Sequence, residues 1–322
     1  MSSILITGAG GYIGSALIKR LIAAEHSDAE NHSIVAVDIR DIAQAEKHTS
    51  VTYEQADIRE ISFQDIVQRY RPQTIVHLAS VVSAGGDPDI DYSIDVLGTE
   101  NVLKSCIVSG VKQLIVTSSG AAYGYHADNP AWLSESDALR GNDDFPYSKH
   151  KRMVEELLAK YRTDHPNLQQ LVLRPGTVLG VTTNNQITKL FERPFILNIA
   201  ASNSAFVFIW DSDVIAIIEK GIRDKSAGIY NLAGDGSLNS AEIAEILHKP
   251  RLTIPAWLLG SLLNFTRFLG LGKLGAEHVK FLQYRPVLDN KALKEEFGYR
   301  PQKTTREVFE YFLDVKQQGK ST

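Results

Sequence analysis

Ser3-Ile4-Leu5-Ile6-Thr7-Gly8-Ala9-Gly10-Gly11-Tyr12-Ile13-Gly14-Ser15-Ala16-Leu17-Ile18-Lys19-Arg20-Leu21-Ile22 stands at the start of the chain. Residues 3–7 are a short apolar run, residues 8–14 are rich in glycine, and from Ser15 the apolar residues recur at helical spacing. The order is therefore strand, glycine turn, helix, the form in which a dinucleotide-binding unit begins. The first free N–H groups of such a helix, at the positive end of its dipole, hold a pyrophosphate. A Cβ in the turn would keep the backbone away from the phosphates, and some turn positions need a positive φ. G-x-G-x-x-G does not fit, because Ile13 stands at the third position; G-x-x-G-x-x-G fits through Gly8, Gly11 and Gly14. A tight turn without a ligand also uses glycine, so the loop by itself leaves both readings open.

The totals narrow the class. The chain has 322 residues, 43% hydrophobic and 22% charged, an ordinary globular composition with room for one or two domains. A net charge of −4 offers no overall basic field for nucleic acid or acidic membranes. The single cysteine, Cys106, excludes an intrachain disulfide and a cysteine metal cluster, which suits a reducing compartment. An opening strand at Ser3 leaves no space ahead of it for a signal peptide, and no apolar run reaches the length of a membrane span. A cytoplasmic protein is expected.

Outward from the glycine turn, residues 33–38 read as a second strand ending in Asp38, 24 residues past Gly14. The spacing in dinucleotide sites is about 20, and a polar loop over 24–32 accounts for the excess. Such an acid accepts hydrogen bonds from the adenosine ribose hydroxyls and repels the extra phosphate of NADP. Arg40 nearby favours a phosphate, so NAD is preferred and NADP is not excluded. Residues 51–58, 74–80, 113–119 and 168–173 read as further strands, with helices over 62–71, 94–109 and 147–162. The strand at 74–80 is continuously apolar, as one buried on both faces is. This alternation predicts an α/β fold with a doubly wound parallel sheet. After Pro175 the alternation fails. Residues 205–209 and 229–232 read as strands returning to the sheet, joined by a helix over 213–223, and the remainder from 237 is mostly helical. The expected division is a dinucleotide-binding domain of 1–175 plus about 205–235, and a substrate-binding region of about 176–204 plus 236–322.

Tyr147 and Lys151 lie four residues apart, on one helix face. They follow a strand whose carboxyl end carries Thr117-Ser118-Ser119-Gly120, the edge at which open α/β sheets bind ligands. Bringing a phenol from a pKa near 10 to neutrality takes roughly 4 kcal/mol. Burial acts in the wrong direction, so a cation must supply the shift. An ammonium about 5 Å away contributes roughly 3 kcal/mol at an effective dielectric of about 20, and a cationic nicotinamide adds to it. Tyr147 is then a general acid/base, and Ser119 hydrogen-bonds the substrate oxygen. The plainer role for Ser119 is to satisfy the turn after its strand.

These residues together resemble the extended short-chain dehydrogenases/reductases, the group of NAD-dependent epimerases and dehydratases that includes UDP-galactose 4-epimerase, sugar-nucleotide dehydratases and hydroxysteroid-dehydrogenase-like reductases. The resemblance runs nearly end to end: Thr7-Gly8-x-x-Gly11-x-x-Gly14, Asp38, Asp57-Ile58, His77-Leu78-Ala79, Gly98-Thr99-x-Asn101, Ser118-Ser119-Gly120, Tyr147-x-x-x-Lys151, Leu173-Arg174-Pro175, Asp211-x-Asp213-Val214 and Tyr230-Asn231-Leu232-Ala233-Gly234. It implies a Rossmann-type sheet with a smaller, mostly helical substrate domain, and NAD as cofactor. Tyr12 and Ile13 in the loop, Asp57 and Ile58 around the adenine, and Leu78, Ala79, Ser80 and Pro175 along the groove are implied cofactor contacts. Lys151 is implied to bind the nicotinamide ribose, and the helices at Gly98 and Tyr147 to form a homodimer.

Three departures bear on the substrate. Asp95 replaces the family's usual asparagine, no asparagine follows Arg174 within a few residues, and the run 206–210 lacks the phosphate-binding arginine. Arg285 matches a second family phosphate arginine. The expectation is an oxidoreductase moving hydride between nicotinamide and a carbonyl or alcohol of a small, weakly charged molecule. The alternatives are a nucleotide-sugar 4-epimerase or dehydratase and a non-catalytic NAD(P) sensor; the intact tyrosine counts against the last. Residues 254–271 are apolar on most sides and read as a packed helix, a lid or a lipid-touching surface. His77, on a buried strand without partner histidines at ligand spacing, reads as structural.

Overall fold

The computed structural model describes residues 2–25, 32–81, 86–202, 204–271 and 275–318. Among the described residues, seven strands form one parallel sheet: β1 (Ser2–Thr7), β2 (His32–Asp38), β3 (Val51–Gln55), β4 (Thr74–His77), β5 (Gln113–Thr117), β6 (Gln169–Pro175) and β7 (Gly228–Leu232). Their spatial order is β7-β6-β5-β4-β1-β2-β3. The chain thus winds outward from β1 in one direction and from β4 in the other, leaving a crevice where the carboxyl ends of β1 and β4 lie side by side.

The apolar residues alternate as a parallel sheet covered on both faces requires. Ile4, Ile6, Ile34, Ala36, Val76 and Ile115 face the helices Tyr12–Glu25 and Asp211–Arg223, whose Leu17, Leu21, Val214, Ile217 and Ile218 complete that core. Leu5, Val35, Val37, Ile75, Leu114 and Val116 face the opposite way. They meet Phe63, Val67, Leu103, Cys106, Val154 and Leu158 of the helices Ile61–Tyr70, Gly98–Ser109 and Pro146–Asp164. Full burial pushes the Cys106 thiol pKa up, so it is an inert apolar side chain here.

One expected strand goes elsewhere. Residues 205–209 do not rejoin the sheet: Phe208–Trp210 pairs in parallel with Thr177–Leu179, and Ala205–Phe206 pairs antiparallel with Leu238–Asn239. Their side chains explain it. Phe206 and Phe208 stack on one another and, with Phe191 and Phe309, build a separate aromatic core beyond the sheet's edge. The edge of β6 is taken instead by β7, in register from Leu171–Gly228 to Pro175–Leu232. The expected helix at 94–109 begins with a π-helical turn, Ser93–Leu97, before Gly98–Ser109; a local π turn of this kind often marks a functional position.

Candidate active site

The glycine loop closes on itself and on β4. Gly8 adopts φ +67°, and a Cβ there would lie 2.7 Å from the Ala79 nitrogen. A Cβ on Gly14 would run into the Gly8 carbonyl oxygen. Gly11 N–H donates to that same oxygen at 2.9 Å, and the helix starts at Tyr12. The loop is therefore a cradle of bare backbone at a helix N-terminus, with Leu78 and Ala79 as its floor, and this fits a pyrophosphate. Gly14→Ala is expected to cost about 1–3 kcal/mol of stability by overpacking. It is also expected to remove the rise in melting temperature that NADH gives the parent; both effects are read in one thermal scan with and without NADH.

Asp38, at the end of β2, is nearly buried and accepts hydrogen bonds from Gly10 N (2.9 Å), Arg40 N (3.0 Å) and Arg40 Nε (3.2 Å). It stands beside the loop, where an adenosine ribose would end. The Arg40 side chain touches the carboxylate through its Nε and is otherwise largely exposed. Asp57 is held by Arg59, whose hydrogen bonds keep the carboxyl below its ordinary range, and buried Ile58 packs against Gly98. Tyr12 reaches across to hydrogen-bond Asp211 at the start of its helix. Ile13 packs on the core, and Pro175 ends β6.

Tyr147 and Lys151 come together as the spacing predicts. Lys151 is buried, with Nζ 5.6 Å from the centre of the Tyr147 ring. Nζ also donates to Ser80 Oγ at 2.6 Å, and Ser80 Oγ donates to Asp95 Oδ1 at 2.8 Å. Ser80, expected to line the groove, is thus the lysine's partner, and the π turn delivers Asp95 beneath it. Ser119 Oγ accepts from Ala121 N–H at 3.1 Å, the turn-satisfying role, which leaves its hydroxyl proton to donate. Its neighbour Ser118 points the other way, donating to Glu155 at 2.6 Å. Ser148 Oγ donates to Ala121 O at 2.6 Å, which pins the start of the Tyr147 helix to the Ser119 turn. His77 bridges Thr7 (2.8 Å) and Thr99 (3.1 Å). Burial, then the Lys151 charge, hold its pKa down to about 4, so it is a neutral structural ring tying β1, β4 and a helix together.

Beneath the site lies a buried ion pair that spacing alone did not bring out. Arg174 meets Glu155 through two bonds of 2.7 and 2.6 Å, and its other arm donates to Tyr123 OH at 2.7 Å. Tyr123 OH donates in turn to Asn231 Oδ1 at 2.9 Å. A signal was present: Tyr147, Lys151 and Glu155 are each four apart, so an acid on the inward face of that helix was readable.

Arg285 is half-buried against the rings of Phe206 (3.7 Å) and Phe281 (4.9 Å), with its Nε shut off from solvent. It lines a small recess, about 30 Å³ in volume, with Asn198, Ser202, Ser204 and Ser240. Its Nε has no hydrogen-bond partner, its Nη1 donates to Ser204 Oγ at 3.5 Å, and burial pushes its pKa down to about 9. Phe281 belongs to the cluster of Ala121, Tyr125 and Phe145 against which Tyr147 packs.

A model of the NAD dependent epimerase/dehydratase family matches residues 4–213. An uncharacterised protein of Mycobacterium tuberculosis is 22% identical over 96% of this chain and 83% of its own length. The UDP-glucose 4-epimerase of Mycolicibacterium smegmatis is 29% identical over 55% of this chain and 56% of its own. Among solved structures, the UDP-glucose 4-epimerase of Thermotoga maritima with UDP-glucose superposes with a TM-score of 0.74 at 18% identity, covering 98% of this chain and 99% of that one.

Proposed function

The chain belongs to the NAD dependent epimerase/dehydratase family, and from that premise we propose that it acts on a nucleotide sugar, as a 4-epimerase or dehydratase. It is an NAD-dependent enzyme of the extended short-chain dehydrogenase/reductase type; the substrate is the proposal. Arg285 carries it. A guanidinium held in a recess against two aromatic rings, with no carboxylate paired to it among the described residues, is costly unless an anion completes it. A nucleoside diphosphate supplies that anion, and its sugar would extend past Phe281 toward Tyr147. Relatives named as UDP-glucose 4-epimerases point the same way.

In this reading Gly8, Gly11, Tyr12, Ile13 and Gly14 hold the NAD pyrophosphate, Asp38 the adenosine ribose, and Asp57 and Ile58 the adenine. Leu78, Ala79, Ser80 and Pro175 flank the nicotinamide half, whose ribose Lys151 binds. When bound, NAD supplies a hydride acceptor that can return the hydride. Tyr147 takes the proton of the reacting sugar hydroxyl, Lys151 stabilises the charge that develops on the phenol oxygen, and the Ser119 hydroxyl donates to the same substrate oxygen. Asp95, through Ser80, fixes where the ammonium sits.

Arg285→Met is expected to weaken UDP binding by at least about tenfold, the cost of a lost charge-assisted contact, with NADH binding unchanged; calorimetry on the NAD-loaded protein reads both. A parent protein that binds neither UDP nor dTDP at millimolar concentration would end the nucleotide-sugar reading. A second reading, a dehydrogenase for an uncharged alcohol, is favoured by the cation-free strand Phe208–Trp210. It differs in forming net NADH, whereas an epimerase returns the hydride within each turnover.

A further inference from the structure

The helix Ala256–Phe268 and the turn after it carry a surface that neither the cofactor site nor the recess uses. Of sixteen exposed large hydrophobic side chains among the described residues, eight fall within residues 252–271. Trp257 is 72% exposed, Leu262 54%, Phe265 59%, Phe268 86% and Leu271 78%. Only one face of the helix is docked: Leu259 and Leu263 pack on Ile199, Val279 and Leu282, the back of the recess wall. The outward face repeats at helical spacing through Leu258, Leu262, Phe265 and Phe268. At 13 residues the helix is about 20 Å long, and no helix among the described residues is long and apolar enough to cross a membrane.

Charge identifies what this face meets. The chain has 38 acidic residues and a net charge of −4, yet residues 250–271 contain Arg251 and Arg267 and no Asp or Glu, while the Lys249 ammonium just before them is turned onto the Phe191 carbonyl oxygen. A second copy docking here about a two-fold axis would bring cations against cations. An anionic bilayer instead takes the aromatic and leucine side chains into its interface and offers phosphates to the basic flank. We propose that the face formed by Trp257, Leu262, Phe265, Phe268 and Leu271 seats the protein, in the plane of the interface, on an anionic lipid surface.

The test is co-sedimentation of the full-length, NAD-loaded protein with vesicles of phosphatidylcholine alone and of phosphatidylcholine with phosphatidylglycerol. The parent and the triple variant Trp257→Ser, Phe265→Ser, Phe268→Ser are compared. These side chains are exposed, so the variant keeps the parent's melting temperature and NADH affinity, which are measured first. Expected is binding to the phosphatidylglycerol vesicles that falls with salt, is weaker on phosphatidylcholine alone, and drops by on the order of tenfold or more in the variant. A parent that stays in the supernatant at millimolar lipid overturns the proposal. So does a variant that sediments like the parent. Sedimentation velocity covers the remaining case: if the substitutions split a parent oligomer into smaller species, the face joins copies of the chain and the lipid proposal is wrong. None of these readouts depends on the identity of the sugar nucleotide.

Discussion

Tyr147→Phe is expected to lower turnover about 100- to 10,000-fold, the range general acid–base catalysis supplies, while NADH binds as tightly as before. Only the hydroxyl is lost. The phenylalanine ring keeps its packing against Ala121, Tyr125 and Phe145, and it keeps its face toward the Lys151 ammonium, 5.6 Å from the ring centre. Lys151 itself stays fixed, because its bond to Ser80 and the Ser80–Asp95 bond do not involve the tyrosine. The measurement pairs interconversion of the nucleotide sugar selected by the binding experiment with titration of NADH by fluorescence. Unchanged turnover would remove Tyr147 from the chemistry. Lost NADH binding would mean that the substitution had disturbed the groove and not the proton transfer.

Glu155→Ala is expected to destabilise the fold by about 3–5 kcal/mol, because it strips the partner from a buried guanidinium. Both side chains of the Glu155–Arg174 pair are 3% exposed. Burial works against the Arg174 charge, and Glu155 more than offsets it, so the guanidinium titrates above its ordinary range. Without the carboxylate, Ser118 also loses its acceptor, and Arg174 is left with Tyr123 OH and the Glu135 carbonyl. A fall in melting temperature of roughly 5–15 °C corresponds to that loss. The double variant Glu155→Leu, Arg174→Met is expected to recover most of it, since apolar replacement of both partners of a buried pair is often neutral or better. Denaturant midpoints of the three proteins test this; a single variant within about 1 kcal/mol of the parent would show that the pair contributes little.

The strand–glycine–helix opening and the apolar strands expected at 33–38, 74–80 and 113–119 were legible because local sequence carries their cause, though the last two end earlier, at His77 and Thr117. A strand buried on both faces must be apolar throughout, and a turn that bonds Gly11 N–H to Gly8 O tolerates no Cβ at Gly14. The destination of residues 205–209 was not legible. Their apolar pattern suits any buried strand, and only the stacking of Phe206 and Phe208 with Phe309 directs them away from the sheet. The two serines at 118 and 119 look equivalent in sequence; pleating sends Ser118 to Glu155 and leaves Ser119 on the Ala121 turn.

By itself, then, the sequence determined the parallel α/β architecture, the glycine cradle, and the pairing of Tyr147 with Lys151, each set by spacing within one element or across one turn. Tertiary structure alone decided that Asp95 reaches Lys151 through Ser80, that Glu155 neutralises Arg174, that Arg285 lies half-buried against the Phe206 ring, and that residues 256–271 bury one face and expose the other. The Ser80–Asp95, Glu155–Arg174, Ser80–Lys151 and Phe206–Arg285 contacts join residues 15 to 79 positions apart. Whether two such side chains meet depends on how whole elements pack, and periodicity within any one of them carries no information about that.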